Sequence, residues 1–115
     1  MPRKVWVTTI SSPNCDGPTV PANLAKACDL LELACATKPD IVCLPEVFAT
    51  HGVARDSVAT IAEPVPGPIT EAVGAVARRH GTYVICPLIE KRGSHFYNSA
   101  VLLDPFSAPL RRGGE

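Results

Sequence analysis

DIVCLPEVF, residues Asp40–Phe48, is the stretch on which the reading of this chain turns. Ile41–Leu44 is a continuous apolar run bounded by Pro39 and Pro45. Such a run suits a strand buried on both faces. Pro45 pushes Leu44 toward extended geometry and stiffens the exit from the strand. Glu46 follows at once. In open α/β sheets, ligands bind outside the carboxyl ends of strands. On these residues alone, Glu46 is either a rigidly held, partly desolvated carboxylate suited to proton transfer or a solvated glutamate at a strand end.

Upstream of this strand, Pro21–Ala36 predicts a helix. Leu24, Ala27, Cys28, Leu31, Ala34 and Cys35 recur at helical spacing on one face. Pro21 fits the first turn, and Pro39 lies just past the end. Before it, Lys4–Ile10 (KVWVTTI) predicts a strand that stops at the turn cluster Ser11-Ser12-Pro13-Asn14. Strand, helix, strand with a short return favours a βαβ unit with neighbouring parallel strands.

Downstream, residues 45–66 lack periodicity and read as a loop with at most a short helix. Val65-Pro66-Gly67-Pro68 is a turn. Ile69–His80 predicts a second helix, with Ile69, Ala72, Val73, Val76, Ala77 and His80 on its apolar face. Arg78, Arg79 and His80 suit the negative end of its dipole, and Gly81 a left-handed stop. Thr82–Leu88 and Phe96–Leu103 predict two more strands, joined by a hairpin connection over Lys91–Ser94. The final Arg111–Glu115 is expected to be unstructured. Two βα units and a hairpin indicate a layered α/β fold with helices covering one sheet face.

The 115 residues suffice for one small domain. Hydrophobic residues at 46% against 19% charged fit a packed core. Eleven basic and eleven acidic residues cancel, and no basic stripe with aromatics appears, which argues against a nucleic-acid partner. No apolar run approaches the length of a membrane span. Five cysteines, none in a C-x-x-C pair, read as reduced thiols in a cytoplasmic protein. Cys and His show no metal-ligand spacing, and there is no G-x-G-x-x-G or P-loop, so neither a metal nor another cofactor is expected.

DIVCLPEVF is similar to the strand of the nitrilase superfamily that ends in the catalytic glutamate. The opening strand and Ala- and Leu-rich helix resemble that family's first βα unit. Gly67-Pro68, the following helix and Gly81-Thr82-Tyr83-Val84-Ile85 resemble its second. Tyr97–Asp104 (YNSAVLLD) is similar to its Asn-containing strand before a turn. The resemblance implies the N-terminal part of a carbon–nitrogen hydrolase domain, about residues 1–104, with 105–115 a divergent tail. It implies part of a four-layer α-β-β-α sandwich, here an incomplete N-terminal segment.

The family resemblance further implies hydrolysis of a small-molecule amide or nitrile by a Glu–Lys–Cys mechanism. A cysteine thiolate attacks carbon, a glutamate acts as general base, and a lysine stabilises the oxyanion. Glu46 matches the base. No residue matches the lysine, because Phe106-Ser107-Ala108-Pro109 stands where the family has a glycine-bearing turn. The nucleophile has no match either. Cys28 and Cys35 lie on the helix's apolar face, Cys43 and Cys86 lie in strands, and Cys15 is the one thiol expected to be exposed. His51 is placed at a pocket mouth, His80 at a helix end and His95 before a strand. Glu90 is expected to hydrogen-bond or to be solvated, and Asn98 to fix a loop or support the site from behind. Family analogy also implies a homo-oligomer. A second class of function is a non-catalytic remnant that binds small amides or serves as an interaction module.

Overall fold

The structure, a computed structural model, describes residues 3–11, 17–53 and 58–106, and the backbone of 111–114. Cys15 lies outside the described residues. The strands are β1 (Val7–Thr9), β2 (Ile41–Cys43), β3 (Tyr83–Arg92), β4 (His95–Leu103) and β5 (Arg111–Gly114), and the helices are α1 (Val20–Ala34) and α2 (Pro68–His80). They form one five-stranded sheet in the order β1-β2-β3-β4-β5. β1, β2 and β3 are parallel. β4 and β5 add antiparallel. The predicted βα units and hairpin are therefore present and in sequence order.

α1 begins at Thr19, whose hydroxyl accepts from the Ala22 N–H at 3.2 Å, with Pro21 in the first turn. Asn23, Ala27 and Leu31 are its buried face. A 3₁₀ turn, Cys35–Thr37, continues it, and Lys38 at φ 55° breaks it in the left-handed region. α2 stops at Gly81, φ 61°, where a left-handed residue closes the last turn. Both helices cover the same face of the sheet. Ala27, Leu31, Val73 and Ala77 from the helices meet Val42, Val84, Cys86 and Val101 from the strands in one core.

The start of α2 is more specified than its turn residues suggest. Gly67 donates its N–H to Thr70 Oγ1 at 2.9 Å, and Glu63 Oε1 accepts the Ile69 N–H at 2.6 Å. A Cβ on Gly67 would stand 2.4 Å from the Pro64 carbonyl oxygen, so only glycine fits. Burial holds the Glu63 carboxyl above its ordinary range despite the Ile69 N–H bond. Its charged form is thus disfavoured in the folded state relative to the unfolded chain. Stability is fully present below the unfolded carboxylate range and is lost as pH rises through the raised folded value. Glu63→Gln keeps the acceptor and removes the charge. Melting curves are expected to show a higher Tm than wild type at pH 7, with the difference closing as pH falls below the ordinary carboxylate range. An equal Tm difference at both pH values would contradict this account.

Four expectations change. Arg111–Gly114 is a strand, pairing antiparallel with Ser99–Leu102, rather than an unstructured tail. The outer edge of β4 offers unpaired N–H and C=O groups, and this backbone satisfies them. β3 runs on to Arg92 and β4 starts at His95, so the hairpin connection shrinks to Gly93-Ser94. Gly93, φ 59°, is the first central residue of this two-residue turn, where a positive φ matches the strand twist. His80 is exposed and bonds to Glu32 on α1 instead of joining the apolar face of α2.

The fourth correction concerns the sheet's second face. Val42 is buried, but its neighbours Ile41 and Cys43 are only half-buried. β3 alternates in the same way, with Val84, Cys86, Leu88 and Glu90 inward and Tyr83, Ile85, Pro87 and Ile89 half-buried. The reason is that helices cover one face only. Val7 and Phe96 are exposed on the open face, and Val5 and Trp6, just before β1, are exposed too, Trp6 at 71%.

Candidate active site

Glu46 stands just past the carboxyl end of β2, the middle strand of the three parallel ones. Its support is rigid on the strand side. Leu44 donates its N–H to the Ile85 carbonyl at 3.1 Å, and Cys43 O accepts from the Ile10 N–H at 3.0 Å. After Glu46 the chain makes a tight turn. Thr50 N and His51 N both donate to Val47 O at 3.0 Å, and Val53 N donates to Thr50 O at 3.1 Å. Phe48 plugs the turn into the core at 0% exposure. Val47 has φ 42°, a left-handed conformation that a β-branched side chain rarely adopts. Such outliers persist where the surroundings over-determine them, and they cluster at functional sites.

The Glu46 carboxylate reaches the open face of the sheet. There Asn98 Nδ2 donates to its Oε2 at 3.2 Å. Asn98 projects from β4 on that face, since Ser99 and Val101 beside it point into the helix-side core. Among the described residues no donor is bonded to Oε1. The expected partial desolvation is not found: Glu46 is exposed, on the side of the sheet away from the helix-side core.

The other candidates separate from this point. Glu90 is on the opposite, helix-covered face and fully buried. Its Oε1 accepts from Ser99 Oγ at 2.8 Å, and Oε2 lies 3.4 Å from Arg92 Nε. Arg92 also lies over the Tyr97 ring, 3.9 Å from its centroid. Glu90 is therefore a buried, hydrogen-bonded structural carboxylate and no part of the Glu46 site. His51 is exposed in the turn after Glu46, and His95 lies by Tyr97 at the hairpin end of β4. Among the described residues no cluster of His, Cys, Asp and Glu could hold a metal ion.

The described thiols are all free. Burial pushes up the thiols of Cys28 and Cys35 and raises that of Cys86 far more, so these three resist forming the nucleophilic thiolate. Cys43 is half-buried on the open face, with its Sγ 3.7 Å from the Leu44 carbonyl oxygen. No hydrogen bond or ion pair joins Glu46 to a lysine or a cysteine among the described residues.

Sequence reading missed Asn23. This side chain is 1% exposed. Its Oδ1 accepts from the Gly17 N–H at 2.6 Å, and its Nδ2 donates to Gly17 O at 3.1 Å, Ala49 O at 3.0 Å and His51 O at 3.4 Å. The signal was available: Asn23 stands four residues before Ala27 and eight before Leu31, a polar residue on a buried helical stripe.

The architecture is that of an α/β protein: three parallel strands, the middle one ending just before a glutamate that is hydrogen-bonded to an asparagine of the following antiparallel hairpin. The sequence of residues 12–108 matches the carbon–nitrogen hydrolase family, and the chain belongs to it. It is 37% identical over 86 residues to a nitrilase of Pyrococcus abyssi, covering 72% of this chain and 33% of that one. It is 36% identical over 85 residues to an omega-amidase of Xenopus laevis, covering 72% and 30%. The chain thus spans about a third of the length of these relatives. Among solved structures, a carbon–nitrogen hydrolase of Helicobacter pylori matches with a TM-score of 0.79 at 17% identity, over 96% of this chain and 39% of that one. An N-terminal amidase matches at 0.76 and 22%, over 96% and 28%. These likenesses establish the α/β nitrilase fold for the sheet and its helical layer. No helix among the described residues is long and apolar enough to cross a membrane.

Proposed function

We propose that this chain supplies the general-base segment of a hydrolase acting on non-peptide carbon–nitrogen bonds, with Glu46 as the base. The substrate is the amide or nitrile of a small molecule, and the mechanism is Glu–Lys–Cys. The observation that carries this reading is the geometry of Glu46. One carboxylate oxygen is fixed by Asn98, and the other has no donor among the described residues. That asymmetry suits a base, which needs one oxygen oriented and the other available to take a proton. The carboxyl end of β2 then receives the substrate, and residues 1–115 act as one unit of the hydrolase domain. The lysine and the thiolate are the two parts of the mechanism that the residues around Glu46 do not supply. The test is Glu46→Gln in a catalytically competent assembly, with amide hydrolysis as the readout.

A second reading, a non-catalytic binding or interaction module, draws on the exposed apolar residues Val5, Trp6, Val7 and Phe96. For the 115-residue chain assayed by itself, the expected result is no amide turnover that depends on Glu46. By size-exclusion chromatography with light scattering it is expected to run as a dimer or larger species, and Phe96→Lys to shift it toward monomer. Turnover abolished by Glu46→Gln would show that a thiolate is already within reach. A monodisperse wild-type monomer would remove the interaction reading.

A further inference from the structure

The exposed Glu46 side chain is carried by a turn whose backbone is strained at Val47, so something must hold that turn. Hydrogen bonds inside the turn fix its shape but not its place against the rest of the molecule. Three groups do the latter. Leu44 ties the chain to β3 before Glu46. Phe48 fills the core after it. Asn23 then reaches from the first turn of α1 to two carbonyls of the turn, Ala49 O and His51 O. The same amide closes on Gly17 through both its oxygen and its nitrogen. A buried amide satisfied on all sides is costly to disturb, because any change leaves carbonyls without donors.

We infer that Asn23 is a positioning residue for Glu46: it clamps the turn that carries the carboxylate to the N-terminal end of α1, and so sets the direction in which the base points. The inference rests on the proposed role of Glu46 for its catalytic meaning. The mechanical coupling stands on the hydrogen bonds alone. Asparagine is the required type. Asn23→Asp keeps the acceptor for the Gly17 N–H, removes the donors to Ala49 O and His51 O, and faces those oxygens with a carboxylate.

The reporter is the Asn98 side-chain amide, which lies on the far side of the sheet from Asn23 and contacts Glu46 directly. Its ¹H–¹⁵N resonances are measured in the 115-residue chain, in whatever oligomer it forms, with Glu46→Ala marking the position they take without the carboxylate. Amide hydrogen exchange is followed over residues 46–53. In Asn23→Asp the Asn98 resonances are expected to move to the Glu46→Ala position and exchange over the turn to accelerate. Asn23→Ser, the milder change, carries the test if Asn23→Asp does not fold, with the same direction expected. Val73→Ala, a loss of core packing on α2, is the control and is expected to leave both readouts at wild-type values while lowering Tm. The inference is overturned if the Asn98 resonances stay in place in the folded Asn23 variants, or if Val73→Ala moves them equally. Neither readout uses turnover, so a failure of the catalytic reading and a failure of the clamp are told apart.

Discussion

Glu46→Gln is expected to lower kcat/KM for amide hydrolysis by about 100- to 10,000-fold, the usual contribution of a positioned acid or base. The measurement belongs in an assembly that turns over amide substrate. Glutamine is the informative replacement. It preserves the shape and still offers Asn98 Nδ2 an oxygen, so the 3.2 Å contact has no reason to break. What disappears is the ability to take a proton. The loss should therefore fall on kcat, with KM nearly unchanged, because the missing interaction is made in the transition state. Activity that survives the change would remove Glu46 from the mechanism and leave it as a solvated residue at a strand end.

The second large effect is on stability. Phe48→Ala is expected to cost about 3–5 kcal/mol, the range for truncating a fully buried phenylalanine. Native domains are stable by only about 5–15 kcal/mol, so this is a substantial share of the total. For a chain of this size, Tm should fall by about 10 °C or more. The cause is local as well as global. Phe48 is the side chain that anchors the turn in the core beside Leu44 and Ala49. Thermal melts followed by circular dichroism check the magnitude. A fall of only a few degrees would mean that the turn collapses onto the cavity and that Phe48 is not its anchor.

Much of the fold was legible because its signals are local. The apolar stripe of α1, Gly81 after the basic end of α2, and the run Ile41–Leu44 each report a single element. Glu46 was legible for the same reason: a proline and a glutamate directly after a buried strand place a carboxylate at a sheet end. What the sequence hid depends on distant partners. Nothing next to Asn98 announces that its amide meets Glu46, fifty-two positions earlier in the chain. Glu63 looks like a loop residue until the Ile69 N–H is seen bonded to it. The exposure of Glu46 was misjudged because an apolar run implies two covered strand faces, whereas helices cover only one here. Arg111–Gly114 carries no strand composition. Its pairing is dictated by the open edge of β4 rather than by its own residues.

The two-residue turn at Gly93-Ser94 has a consequence for the order in which the molecule assembles. It joins β3 to β4 with the shortest loop in the sheet, and nine residue pairs zip outward from it. Each parallel pairing instead closes a loop of more than thirty residues, from Val7 to Ile41 and from Ile41 to Tyr83. Contacts close in sequence form first, because distant ones bear the loop-closure entropy before any bond rewards them. The hairpin is therefore the natural template, and β2 and then β1 dock onto its β3 edge. During synthesis from the N-terminus, this template is made after the two strands that need it. β1 and β2 must wait, with Val42 and Leu44 not yet buried, until β3 and β4 have emerged. That waiting interval is when the growing chain is most open to capture by a chaperone or by another nascent copy.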